Sequence, residues 1–263
     1  MAGEQAKNKL DPAQILDGML EMDGALAPHY SYFYDYTPTN MAYLWIQGAR
    51  EIVGLKRHWQ SVQREPIPGS KRYRIWVPWF RKVPNRDGNE GEEVEVLGGW
   101  NDVPCIYTYS QTTGEPIKPK PTPQWSLPQM LDKLGMRAVE FDSQNGNLQG
   151  YSRGVEIAVS PIAARPDKTW IHEAGHIALG HTLAHTYEHY HTDRGVMEFQ
   201  AEAVAYIVLN LLGVMDEETA RYSRGYVRHY LRNEKPPEQA VRQVLTVADR
   251  IVRAGRVAPA AAE

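Results

Sequence analysis

Cysteine is almost absent from this 263-residue chain, where Cys105 stands alone. A single thiol closes no internal disulfide, which suits a reducing compartment. Long hydrophobic runs are absent too: no stretch comes near 18 uninterrupted apolar residues, and the opening MAGEQAKNKLDP has no apolar core of a secretory leader. These absences predict a cytoplasmic protein with no membrane partner. Nor does one sign of charge dominate. Lys plus Arg total 29 against 32 Asp plus Glu, so no global field selects a partner. No internal repeat recurs at a fixed period, which argues against a solenoid. What the chain does have is 42% hydrophobic residues, enough to bury one or two ordinary cores.

Proline marks the division between them. EPIKPKPTPQ, residues 115–124, carries four prolines in ten residues, which fix φ and remove backbone donors. It is expected to link a domain over residues 1–114 to a second over residues 125–263. In the first, AQILDGMLEM is amphipathic, Asn40 to Gly48 reads as a helix closed by glycine, and KRYRIWVPWF and VPCIYTYS read as strands. Between those strands, NRDGNEGEE reads as a solvated turn. In the second, LPQMLDKLG reads as a helix and RGVEIAVS, Arg153 to Ser160, as a strand. A helix is expected from Pro166 to about Leu179, and another between Gly195 and Gly213, joined by TYEHYHTDR. RVAPAAAE is expected to be a frayed tail. The fold class expected is α+β.

WIHEAGHIALGH, Trp170 to His181, lies in the first of those two helices. Residues i and i+4 share a helix face, so His172 and His176 can offer two imidazoles to one Zn²⁺, with Glu173 beside a metal-activated water. With 9 histidines in the chain, H-E-x-x-H arises by chance in about 2% of shuffled copies, so context has to decide. A third ligand is sought in GVMEFQAEAVAYIVLNLLG. This helix is apolar almost all round, yet Glu198, Glu202, Tyr206 and Asn210 recur at steps of four. Two carboxylates on an interior helix are costly unless paired or metal-bound. Glu198 is the expected third ligand. Glu202, one turn on, is expected to accept from a ligand imidazole. The bland alternative is a half-exposed helix with both carboxylates in water. His181, just past the helix end, reads as a supporting histidine more than a ligand. His185, His189 and His191 read as rim residues.

At these residues the chain resembles the ImmA/IrrE-like metallopeptidases, through HEAGHIALGH followed by EFQAEAVAYIV. The order of the two halves resembles ArdC-type antirestriction proteins. NMAYLWIQ, VGLKRHWQSVQR, PGSK and YTYSQTTGEP are similar to stretches of their N-terminal domain, and YSRGYV to actinobacterial and phage members. The resemblance implies a single-stranded-DNA-binding domain joined to a minimal, gluzincin-like zinc metallopeptidase domain, with antirestriction or another DNA-associated role in a mobile element, phage or bacterial host.

The residues carry a nucleic-acid signal of their own. Arg50 to Arg86 holds ten basic and two acidic residues, a local net charge of +8, interleaved with Trp59, Tyr73, Trp76, Trp79 and Phe80. Basic side chains can follow a phosphate backbone while aromatics stack bases. Lys56, Arg57, Trp59, Arg64, Lys71, Arg72 and Arg74 are the expected DNA contacts. A charged sheet face with its aromatics in the core would produce the same composition.

Together these readings predict a DNA-binding zinc metalloprotease with one Zn²⁺ per chain and an unidentified protein substrate. His172, His176 and Glu198 would hold the metal and Glu173 would be the base. A substrate strand would lie along GVEIAVS, and Tyr222, Tyr226 or His229 would donate to the oxyanion. The rival is a non-proteolytic protein that shields DNA from restriction, its zinc site structural or vestigial.

Overall fold

The computed structural model describes residues 11–84, 93–120, 123–183, 190–233 and 236–257. Residues 85–92 of the turn expected at NRDGNEGEE, residues 186–189 of the TYEHYHTDR connection, His189 among them, with His185 before them, and the tail beyond residue 257 lie outside them. So does the side chain of His191. Tyr190 to Arg194, expected as connection, are instead the start of a helix.

The elements in chain order begin with α1 (Pro12–Glu21), α2 (Ala27–Tyr30), α3 (Pro38–Ile46), β1 (Val53–Leu55) and α4 (Lys56–Gln60). They continue through β2 (Arg64–Pro66), β3 (Tyr73–Pro84), β4 (Glu93–Thr108) and β5 (Thr112–Gly114). After the proline-rich stretch come α5 (Leu127–Leu134), β6 (Arg137–Ala138), β7 (Gly150–Arg153), β8 (Glu156–Val159) and α6 (Pro166–Ala178). Three long helices close the chain: α7 (Tyr190–Leu211), α8 (Glu217–Asn233) and α9 (Glu238–Gly255). The architecture is mixed α+β, and no helix among the described residues is long and apolar enough to cross a membrane.

The chain separates into two compact units. One groups residues 1–28 and 37–42 with residues 120–263; the other groups 29–36 with 43–119. The proline-rich stretch does bound the second unit. The first helix, however, packs with the C-terminal half. α1 starts on an Asp11 cap, whose Oδ1 accepts from the Ala13 amide, and buries Ile15, Leu16, Met19 and Leu20 among α7, α8 and α9. Each such side chain contributes about 1.5–3 kcal/mol when fully buried. Its C-terminal carbonyls find partners on α7: the Tyr206 hydroxyl donates to Leu20 O at 2.8 Å and the Asn210 amide to Met22 O at 2.9 Å. The lower half of the polar stripe read from the sequence thus serves orphaned carbonyls of a helix end.

In the same unit α7 is the buried core helix, with Phe199, Val204, Ile207 and Val208 wholly inaccessible. α6 packs against it through Gly175, which lies beside Ala201 and Val204. The small sheet has order β6–β8–β7, with β8 parallel to β6 and antiparallel to β7. The strand expected over Arg153 to Ser160 is β8, Glu156–Val159, and a tight turn at Gly154, with φ 57°, joins it to a preceding strand, β7, that was not expected. The substrate-strand expectation changes with it. Among the described residues β8 is paired on both sides, and the outer strand beside α6 is β7.

In the other unit β4 is central, pairing with β1 and with β3. β4 runs far past the segment VPCIYTYS expected as a strand. From Val77 to Lys82, β3 is exposed on both faces, so β3 and β4 form an arm. Its register slips between Trp79 and Phe80, where the Trp79 ring lies over Gly98 and Gly99 takes φ 151°. Side chains at residue 98 would collide with that ring, since an added Cβ falls 2.1 Å from it.

Candidate functional site

Helix α6 begins at Pro166, whose fixed φ suits a first turn, and ends where Gly180 takes φ 80°. His172 and His176 therefore project one turn apart toward α7. Their Nε2 atoms stand 3.2 Å apart. Glu198 Oε2 lies 3.4 Å from His172 Nε2 and 3.8 Å from His176 Nε2. Bonds of about 2.1 Å from a tetrahedral ion put neighbouring donors about 3.4 Å apart, so this triangle fits a Zn²⁺-sized ion at its centre. His172, His176 and Glu198 are the cluster among the described residues able to hold a metal.

Each histidine is backed by a different group. Glu202 Oε2 faces His172 Nδ1 at 3.5 Å, and Glu202 Oε1 is held by Lys168 Nζ at 2.7 Å. His176 Nδ1 meets His181 Nδ1 at 2.9 Å, and His181 Nε2 meets Gln200 Oε1 at 3.1 Å. Charge balance follows. Burial opposes charge on His172, but the Glu198 and Glu202 carboxylates outweigh it and lift the imidazole from 6.5 to about 9. His172 and His176 hold Glu198 well below the ordinary carboxylate range. Burial alone would raise Glu202, yet His172 and Lys168 bring it down to about 2. Burial pushes His181 down to about 4.

Glu173 is not among the ligand atoms. It points to β7, where its Oε2 accepts from Ser152 Oγ at 2.7 Å. Ser152 carried no signal in the sequence, since an isolated serine in a short strand belongs to no spacing pattern. The arrangement opens on a cleft of about 780 Å³. His172 and Glu173 form part of its wall, as do Gly150 of β7, Lys168 and Tyr222.

Of the three oxyanion candidates, Tyr222 lines this cleft. Tyr226, one turn further along α8, is raised by burial and by the negative charges of Glu198 and Glu202, which keeps its phenol protonated as a donor. His229 turns instead to Asn233, whose Nδ2 stands 3.1 Å from its Nδ1.

The expected DNA contacts scatter. Trp59 is wholly buried and its Nε1 donates to Gly54 O and Tyr107 O, so it is a core residue. Arg64 is buried too, its guanidinium donating to Thr112 Oγ1 and to the carbonyls of Thr112, Gly114 and Glu115. Arg74 Nε donates to Asp102 Oδ2 at 2.6 Å. Lys56 lies 3.9 Å from Glu65, both exposed. Arg57, Lys71 and Arg72 are exposed. Arg57 and Arg72 lie close enough to Cys105 for both to pull down its burial-raised thiol. On the β3–β4 arm, Trp79, Phe80 and Trp100 are exposed. Trp100 fell outside the basic stretch, and only its pairing opposite Pro78 brings it to the arm.

No family model matches the chain, and no curated protein matches it. Solved structures do. The metal-free crystal structure of the antirestriction protein ArdC from plasmid R388 matches with a TM-score of 0.54 at 16% identity, over 93% of this chain and 96% of that one. A Mn(II)-bound structure of the same ArdC gives a TM-score of 0.45 at 17% identity over the same shares. The chain therefore has the fold of an ArdC antirestriction protein.

Proposed function

We propose that this chain is a single-stranded-DNA-binding zinc metalloprotease with an antirestriction or related DNA-associated role. The observation that carries the enzymatic part is the donor triangle of His172, His176 and Glu198 with a further carboxylate, Glu173, beside it. These three residues would hold the ion, and a set of three protein donors matches catalytic zinc sites, where structural ones use four. A divalent ion held there would supply Lewis acidity, making bound water more acidic and a peptide carbonyl more electrophilic.

The protein's own groups account for the rest. A peptide strand adds to the outer edge of β7, giving main-chain hydrogen bonds along Gly150–Arg153 and running the scissile bond past Glu173. Glu173, steadied by Ser152, takes a proton from the attacking water and returns it to the leaving amine. Tyr226 or Tyr222 donates a hydrogen bond to the developing oxyanion. The exposed Lys56, Arg57, Lys71 and Arg72, with Trp79, Phe80 and Trp100, supply phosphate contacts and stacking faces for a single strand. Trp59 and Arg64, as core residues, are left out of that surface.

Glu173→Gln separates the peptidase from a protein that only occupies DNA. With Zn²⁺ and a single-stranded oligonucleotide present, the variant should retain metal and DNA affinity but cleave unfolded casein about 10²–10⁴-fold more slowly than the parent. Cleavage at the parent's rate would remove Glu173 from the mechanism. Undiminished protection of DNA from restriction in cells by the variant would mean that proteolysis is not the function.

A further inference from the structure

The geometry points to His181 as a positioning residue that dictates which nitrogen of His176 is offered to the metal, through a hydrogen-bonded chain ending on the backbone of α9. This rests on the metal site proposed above and adds a residue and a mechanism to it.

The chain of bonds can be read from its far end. Gln200 Nε2 lies 3.1 Å from Ala240 O and 3.0 Å from Gln243 Oε1. A backbone carbonyl only accepts, so the NH₂ group of Gln200 faces α9 and its Oε1 faces His181. Oε1 in turn only accepts, so His181 Nε2 carries the proton across the 3.1 Å contact. In the neutral ring this leaves His181 Nδ1 bare, 2.9 Å from His176 Nδ1. His176 Nδ1 must then be the protonated nitrogen, and the lone pair is at Nε2, the atom 3.2 Å from His172 Nε2 and facing Glu198. The opposite arrangement, with His181 donating from Nδ1, would place the His176 proton on Nε2 and close the ligand position. His176, His181 and Gln200 are each less than one-tenth exposed, so water cannot readily replace a missing partner. The two ligands thus have unlike supports: a carboxylate behind His172, and a neutral relay behind His176 that adds no charge. Outer partners of this kind fix ring orientation and typically change metal affinity 10–100-fold.

The test measures Zn²⁺ affinity of the full chain by competition with a fluorescent chelator. His181→Phe keeps the bulk of the ring and removes the acceptor. His181→Asn puts Oδ1 where Nδ1 stood and restores it. The expectation is a 10–100-fold loss in His181→Phe, recovery to within about fivefold of the parent in His181→Asn, and a smaller loss in Gln200→Leu. In ¹⁵N spectra of the Zn²⁺-loaded parent, His176 should carry its proton on Nδ1. If His181→Phe does not fold, Gln200→Leu and the spectra still decide. An affinity within twofold of the parent in His181→Phe, equal losses in Phe and Asn variants, or a protonated His176 Nε2 would overturn the inference. Glu198→Ala is the control for the underlying reading: full metal retention there would sink the metal site itself, whereas loss there with no effect at His181 sinks only the relay.

Discussion

Glu198 and Glu202 sit one helical turn apart with different partners, and the proton inventory around them sets how the site responds to pH. In the metal-free protein His172 is raised from 6.5 to about 9, so its stabilising contribution is fully present below 6.5 and lost as pH rises through 9. Glu198 and Glu202 are depressed from 4.5, so theirs is present above 4.5 and lost as pH falls through their folded values. Metal-free protein should therefore show a urea midpoint that falls on both sides of a window from 4.5 to 6.5, as far as these groups govern it. Zn²⁺ competes with the His172 proton, so its affinity should climb from pH 6 to 9 and flatten above. A pH-independent affinity would contradict the placement of His172 between two carboxylates. At this scale the convergence of His172 and His176 was legible, because the four-residue step is a local property of a helix. Arg64 was not. Its acceptors are Thr112, Gly114 and Glu115, and nothing in the neighbourhood of residue 64 reports carbonyls that far along the chain.

At the scale of elements, β7 governs the rim of the cleft. An added Cβ on Gly150 would lie 2.5 Å from Thr169 Cγ2 and 3.0 Å from Ala158 O. Gly150→Ala must push β7 away from α6 and take Ser152 with it. We expect a cost of about 1–3 kcal/mol in stability and a fall in kcat/KM for casein, with partial recovery when Thr169→Ser removes the offending methyl. Unchanged stability and kcat/KM would mean that β7 is not held where α6 places it. The β3–β4 arm makes a second prediction. Lys71→Ala with Arg72→Ala should lower single-stranded-DNA affinity and flatten its salt dependence, and Trp79→Ala with Phe80→Ala should weaken binding without changing the salt slope. Equal binding by both double variants would remove the arm and its base from the DNA surface. α5, α6 and most of α7 were legible from period and caps. β8 was legible in the alternation of RGVEIAVS, but β7 was not, since Gly150–Arg153 is four residues without a β-branched side chain and becomes a strand only by pairing with β8 across the turn at Gly154.

At the scale of the molecule, the proline-rich stretch announced two bodies, yet it could not announce which of them owns the first helix. The signal was split between AQILDGMLEM and the Tyr206 and Asn210 positions nearly two hundred residues later, joined only by tertiary structure. A fragment spanning residues 125–263 should therefore be unstable. It would expose the α7 and α9 surfaces that cover Leu16, Met19 and Leu20, and would leave Tyr206 and Asn210 without their carbonyls. Thermal unfolding should show a midpoint far below that of the full chain, or no cooperative transition. A fragment as stable as the parent would make α1 dispensable.

Topologically, the basic unit is a guest whose host begins before it and resumes after it. A break anywhere in residues 115–124 would divide the covalent chain without setting either part free, since α1 would stay moored to α7 and α9 from the other fragment. Loss of the guest requires more than one cut, so after a single proteolytic accident in the linker the two units still travel together.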